Sequence, residues 1–227
     1  MKRVAVLISG SGTNLQALLD WQQQRGKACQ YEIIGVLSNK ADAYGLTRAE
    51  QVGVSTAVIA HGDFPDRESF DARLVETLET WQPDVVVLAG FMRILTPVFT
   101  DHFLGRAINI HPSLLPKYKG LNTHQRALAA GDHEHGVSIH YVTSDLDGGP
   151  IIAQQRVPIE QGDTADTLQQ KVHGQEHRLY PRVVEAMARG YIDYCPPHAC
   201  LQGSPLNPPL DVEQLNEILG LDPAKPV

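Results

Sequence analysis

Asn109 and His111 stand two residues apart near the end of the run Ala107-Ile108-Asn109-Ile110-His111-Pro112-Ser113. In a strand, that spacing points both side chains to one face, where they can converge on one ligand. Pro112 stops the strand, and Ser113-Leu114-Leu115-Pro116 makes a restrained exit that fixes where His111 sits at the carboxyl edge of a sheet. Asp147 lies in Leu146-Asp147-Gly148-Gly149-Pro150, where two glycines let the backbone come close to a ligand. An amide, an imidazole and a carboxylate suit acyl or formyl transfer to an amine. The tetrahedral oxyanion of that reaction would be stabilised by Asn109 as an amide donor and His111 as an imidazolium donor. Asp147 would favour the imidazolium by proximity and move a proton from the attacking to the departing nitrogen, directly or through water. No covalent enzyme nucleophile is needed. Taken singly, each residue has a plainer reading, as a buried polar group satisfied by backbone or as a turn aspartate.

A second motif, Ser9-Gly10-Ser11-Gly12-Thr13-Asn14, falls between the first strand and the first helix, where backbone N–H groups and the helix dipole can hold a phosphate. The dinucleotide pattern asks for glycine at position 15, which here is Leu15, and no Gly-Lys-Ser/Thr follows as in a P-loop. A phosphomonoester therefore fits better than a dinucleotide. The plainer reading is a tight strand-to-helix turn.

These motifs need a scaffold, and the hydrophobic pattern supplies one. Val4–Ile8, Ile33–Leu37, Ala57–Ile59, Val85–Ala89 and Ala107–Ile110 read as buried strands. Asn14–Gln24, Tyr44–Val52 and Arg67–Trp81 read as helices between them. The alternation predicts an α/β, Rossmann-like fold: a mostly parallel twisted sheet flanked by helices, with ligands at the carboxyl ends of its strands. After a helix near Thr123–Ala130, the stretches Val137–Val142 and Ile151–Pro158 predict an antiparallel extension of the sheet. Thr164 reads as the N-cap of a long helix to about Arg189, which Pro181 would kink. The expected organisation is one domain over residues 1–194 and a proline-rich tail over 195–227, in which Val212–Leu219 has the pattern of a short amphipathic helix.

With 227 residues, 42% hydrophobic and 20% charged, the chain can bury one substantial core. The apolar N-terminal run ends too soon, at Gly10, for a membrane span or an ordinary signal peptide. Three cysteines at unpatterned spacing imply no disulfide framework and suit a reducing, cytoplasmic setting. A net charge of −7 argues against broad nucleic-acid binding and leaves small molecules as the expected partners. Cys195-Pro196-Pro197-His198-Ala199-Cys200 matches no common zinc spacing, and Asp132-His133-Glu134-His135 reads as a solvated turn, so no metal is expected.

Ser9–Gln16, Ser38–Ala43, Leu88–Arg93, Asn109–Tyr118 and Leu146–Pro150, in that order, together resemble the phosphoribosylglycinamide formyltransferases over about residues 3–194. The resemblance implies transfer of the formyl group of 10-formyltetrahydrofolate to the amine of glycinamide ribonucleotide, the third step of purine synthesis. It makes Asn109, His111 and Asp147 the catalytic trio and Gly12, Thr13 and Asn14 the phosphate loop. It maps the folate site onto Arg67, Met92, Arg93, Ile94 and Leu95, together with Asn109 and a loop from Val142 to Asp147 that closes over the pterin. Glu176 would contact the glycinamide or ribose, and His124 and His140 would lie near the site. Without the resemblance, Phe91–Leu95 would read as core and Arg67 as a solvated helix charge.

Related motifs occur in methionyl-tRNA formyltransferase and formyltetrahydrofolate deformylase, but the first should add a C-terminal domain with a basic surface and the second an N-terminal regulatory domain. This acidic chain, starting at its first strand, is expected to have room for neither. A non-catalytic module binding a phosphorylated ligand would explain the glycine loop, but not why Asn109, His111 and Asp147 recur together. The expected assembly is a monomer or a homodimer.

Overall fold

In a computed structural model, which describes residues 1–222, seven strands form one sheet in the order β3-β2-β1-β4-β5-β6-β7. They are β1 (Lys2–Ile8), β2 (Tyr31–Ser38), β3 (Ser55–Val58), β4 (Val85–Leu88), β5 (Ala107–His111), β6 (Glu134–Tyr141) and β7 (Ile151–Pro158). The pairs among β1 to β5 are parallel, and β6 with β7 is antiparallel, as the sequence pattern predicts. The described residues fall into two compact units. The first holds Met1–Asn109 and Val142–Ser144, and the second Ile110–Tyr141 and the residues from Asp145 onward.

In the first unit, Ala5 and Leu7 of β1, Leu37 of β2, Val86 and Leu88 of β4 and Ala107 of β5 share a buried face. Against it pack Phe70, Leu74 and Leu78 of α3 (Arg67–Trp81) and Phe99 of α4 (Pro97–Thr100). A Cβ at Gly35 would overlap the Trp81 ring, so the last turn of α3 reaches β2 only because that residue is glycine. Asp66 caps α3 by accepting from Ser69 N at 2.7 Å. The other helices of this unit are α1 (Thr13–Arg25) and α2 (Tyr44–Gln51).

The second unit is organised by α6 (Ala165–Ala188), a 24-residue helix that starts at a Thr164 capping box and runs unbroken through Pro181. It also holds α5 (Thr123–Ala129). The sequence pattern missed a three-stranded antiparallel sheet of β8 (Ile192–Cys195), β9 (His198–Leu201) and β10 (Ser204–Pro205), whose strands of two to four residues are too short to show a period of two. Then α7 (Val212–Leu219) lies along α6, with Arg182 Nε donating to Asn216 Oδ1 at 2.7 Å. Between them, Leu210 pairs with β7: its N–H donates to Ile152 O at 3.1 Å, and its carbonyl accepts from Gln154 N at 2.8 Å. The stretch 195–222 is thus ordered against the second unit, and residues 223–227 of the expected tail lie outside the described residues.

One expectation is corrected here. Glu134 and His135 are not in a solvated turn but open β6, and His135 is buried. The pairing of β6 with β7 reaches back to Glu134 opposite Pro158, so the strand begins earlier than its apolar residues suggest. Among the described residues no helix is long and apolar enough to cross a membrane, and no three His, Cys, Asp or Glu side chains group as metal ligands.

Candidate active site

His111, the last residue of β5, and Asp147 meet in the second unit, with His111 Nδ1 3.4 Å from Asp147 Oδ2. The other ring nitrogen, Nε2, lies 2.9 Å from the carbonyl oxygen of Tyr118. A carbonyl only accepts, so Nε2 carries the hydrogen and Nδ1 is the nitrogen left to act. His140 approaches the same carboxylate from the other side, with Nε2 3.7 Å from Asp147 Oδ1 and Nδ1 donating to Tyr141 O at 2.9 Å. Burial pushes His140 below its ordinary range, which favours the neutral ring. Asp147 Oδ2 also accepts from Gly120 N at 2.9 Å. Asp147 has φ 48 and Tyr118 φ 57, left-handed conformations that cost a side-chain-bearing residue roughly 1–2 kcal/mol each. The fold therefore holds both against their own preference. Asn109 precedes His111 by two residues on β5, so strand geometry gives the two a common face, and Asn109 is half-buried.

Of the other expected residues in this unit, Glu176 is buried on α6 one turn before Tyr180. His124 Nδ1 pairs with His135 Nε2 at 3.1 Å, within electrostatic reach of His111, and burial pushes its pKa down to about 4.

In the first unit, Gly12 has φ 70 and stands at the N-cap of α1, where it has no side chain of its own to cap the helix. A Cβ on Gly12 would lie 2.7 Å from Gly45 Cα, and one on Gly45 would run into Ile8 and lie 3.2 Å from Gly12 Cα. The loop is therefore pressed against α2, which only two facing glycines allow. Arg48 of α2 holds it there, donating to Ser11 O at 2.8 Å and Gln16 Oε1 at 2.9 Å. This places a guanidinium beside the start of α1, where the helix N-terminus and the cation would both favour an anion.

The segment Met92–Leu95 follows β4 in the same unit. Met92 and Ile94 are exposed, whereas Leu95 packs on the core. Met92 N donates to Ser9 Oγ at 2.8 Å, and Ser9 Oγ donates to Asn39 Oδ1 at 2.6 Å, so the Met92–Leu95 segment and the glycine loop share an anchor at the end of β1. On its other side the segment meets α3: Arg93 lies over the Phe70 ring, and Thr96 N donates to Asp71 Oδ2 at 2.5 Å. Burial raises the Asp71 carboxyl. Arg67 is exposed on the first turn of that helix, and Val142 sits within the core. Sequence reasoning gave no separate role to Ser9, Arg48, Asp71 or Tyr118, whose contacts join segments far apart in the chain or run through a backbone atom.

The sheet order and the strand-end residues define an α/β enzyme of Rossmann-like architecture. The model of the formyl transferase family matches residues 2–184, and the chain belongs to that family. It is 49% identical over 210 residues to the phosphoribosylglycinamide formyltransferase of Escherichia coli (strain K12), covering 90% of this chain and 96% of that one. It is also 49% identical to the trifunctional purine biosynthetic protein adenosine-3 of Drosophila pseudoobscura pseudoobscura, over 83% of this chain and 14% of that one. The solved phosphoribosylglycinamide formyltransferase of Coxiella burnetii superposes with a TM-score of 0.85 at 53% identity, over 90% of this chain and 95% of that one. The chain is an enzyme of this type.

Proposed function

We propose that this enzyme transfers the formyl group of 10-formyltetrahydrofolate to the amine of glycinamide ribonucleotide, giving formylglycinamide ribonucleotide and tetrahydrofolate in the third step of purine synthesis. The observation that carries this reading is the surroundings of Asp147. His111 Nδ1 and His140 Nε2 flank this carboxylate at 3.4 and 3.7 Å. A buried carboxylate between two imidazoles is placed to take a proton from an attacking amine. Its reference pKa, near 7.7–8.0 for an α-amino group, leaves a useful neutral fraction for attack.

In this reading His111 takes up a proton from solvent at Nδ1, beside Asp147; the amine nitrogen then bonds to the formyl carbon, and the resulting oxyanion accepts from the Asn109 amide and from Nδ1–H of that imidazolium. Asp147 takes the amine proton and returns it, directly or through water, to N10 of the folate as the C–N10 bond breaks. Gly12, Thr13 and Asn14 hold the substrate phosphate, with Glu176 toward the glycinamide or ribose. Arg67 and Met92–Leu95 contact the folate, and the Val142–Asp147 loop covers it. Residues 1–194 carry the reaction, in a cytoplasmic monomer or homodimer. The test is to incubate purified protein with 10-formyltetrahydrofolate, with and without glycinamide ribonucleotide. Formylated ribonucleotide should form only in the full mixture. Formyl release without the amine would replace this reading with a deformylase.

A further inference from the structure

The segment Lys117–Gly120 is specified at every step by partners in its own unit. The carbonyls of Lys117, Tyr118 and Lys119 accept from Ser113 Oγ at 2.6 Å, His111 Nε2 at 2.9 Å and Arg126 Nη1 at 2.7 Å. Gly120 N donates to Asp147 Oδ2 at 2.9 Å. One short strap thus holds both members of the His111–Asp147 pair. At its centre Tyr118 has φ 57, which a bulky aromatic residue does not adopt unaided. Its side chain shows what holds it. The phenol donates to Asp132 Oδ2 at 2.8 Å, Lys117 Nζ reaches the same oxygen at 3.0 Å, and the Arg126 guanidinium lies over the ring at 5.2 Å.

We propose that Tyr118 and Asp132 are positioning residues for the formyl transfer: by tying the phenol to the carboxylate they keep the strap left-handed at Tyr118, which fixes the tautomer of His111 and the aim of Asp147. Were Tyr118 to relax, its carbonyl would turn away from His111 Nε2. The hydrogen could then sit on either ring nitrogen. Two residues on, Gly120 N–H would leave Asp147, so a single displacement unseats both groups. Lys117 and Tyr118 hold the Asp132 carboxyl below its usual range, so the tie persists wherever the enzyme is assayed near neutrality. This role rests on the proposed transfer reaction, and it gives a function to Asp132, which the sequence pattern assigns to a solvated turn.

The test is Tyr118→Phe, which removes one oxygen and keeps the ring. Long-range proton–nitrogen NMR of the His111 ring should show hydrogen on Nε2 in the parent protein and a mixture of tautomers in the variant. The variant's kcat should fall about tenfold, the weight of a hydrogen bond to a charged group, with both KM values unchanged. Asp132→Asn still accepts from the phenol and should keep most of the activity. Asp132→Ala should match Tyr118→Phe, and the double variant should be no worse than either alone. An unchanged tautomer in Tyr118→Phe, losses that multiply in the double variant, or KM values rising in step with the loss of kcat would each overturn the proposal. The tautomer measurement needs no substrate, so an inactive parent protein would count against the transfer reaction while the strap is still judged by NMR.

Discussion

Asp147 faces His111 Nδ1 and His140 Nε2, and its Oδ2 also accepts from Gly120 N. In the proposed transfer the carboxylate receives the amine proton, and Asn109 meets the charge that develops on the formyl oxygen. Asn109→Ala should therefore lower kcat by about 10²–10³, the usual loss for one oxyanion donor, without weakening binding of a non-reactive folate analogue. Steady-state kinetics alongside a binding titration would check it. Gly12→Ala makes the opposite prediction for binding. With φ 70 and its new Cβ 2.7 Å from Gly45 Cα, the loop must shift, so KM for the ribonucleotide should rise at least about tenfold while folate binding stays intact. The sequence made Asn109 and His111 legible because a strand converts a spacing of two into a shared face. Tyr118 was illegible because its contribution is a carbonyl oxygen, which every residue has.

At the scale of elements, helix and strand identities followed from hydrophobic period wherever a segment was long enough, as in α3, whose bounds the pattern predicts. What the period does not carry is how one element is fastened to another. Asp71, on α3, fastens the segment that follows β4 by accepting from Thr96 N. Asp71→Ala would leave that N–H without its acceptor, so the protein should lose about 1–3 kcal/mol in urea unfolding and show a raised folate KM with the ribonucleotide KM unmoved. The helix α7 makes a purely structural counterpart. Leu215 is fully buried, and Leu215→Ala should cost about 2–5 kcal/mol in the same unfolding measurement while kcat is preserved. The strands β8 to β10 escaped notice because proline and two-to-four-residue strands mask alternation.

For the whole molecule, the buried histidines set a response to acid. Burial lowers the pKa of His124, His135 and His140, the first to about 4 from an ordinary 6.5. Below 6.5 the unfolded chain takes up protons that these folded rings refuse, so their contribution to stability is complete above that pH and declines as pH falls toward 4. Urea midpoints at pH 7.5, 6 and 5 should fall in that order, and His124→Gln should flatten the decline. The pairing of Leu210 with β7 acts at this scale too. β7 is the last strand of the sheet, and its outer N–H and carbonyl groups at Gln154 and Ile152 would otherwise present a template for another chain. A protein ending before Leu210 would expose that template. Its failure in a cell would then be a matter of solubility, with molecules lost to edge-to-edge association while those still dispersed retain their catalytic residues.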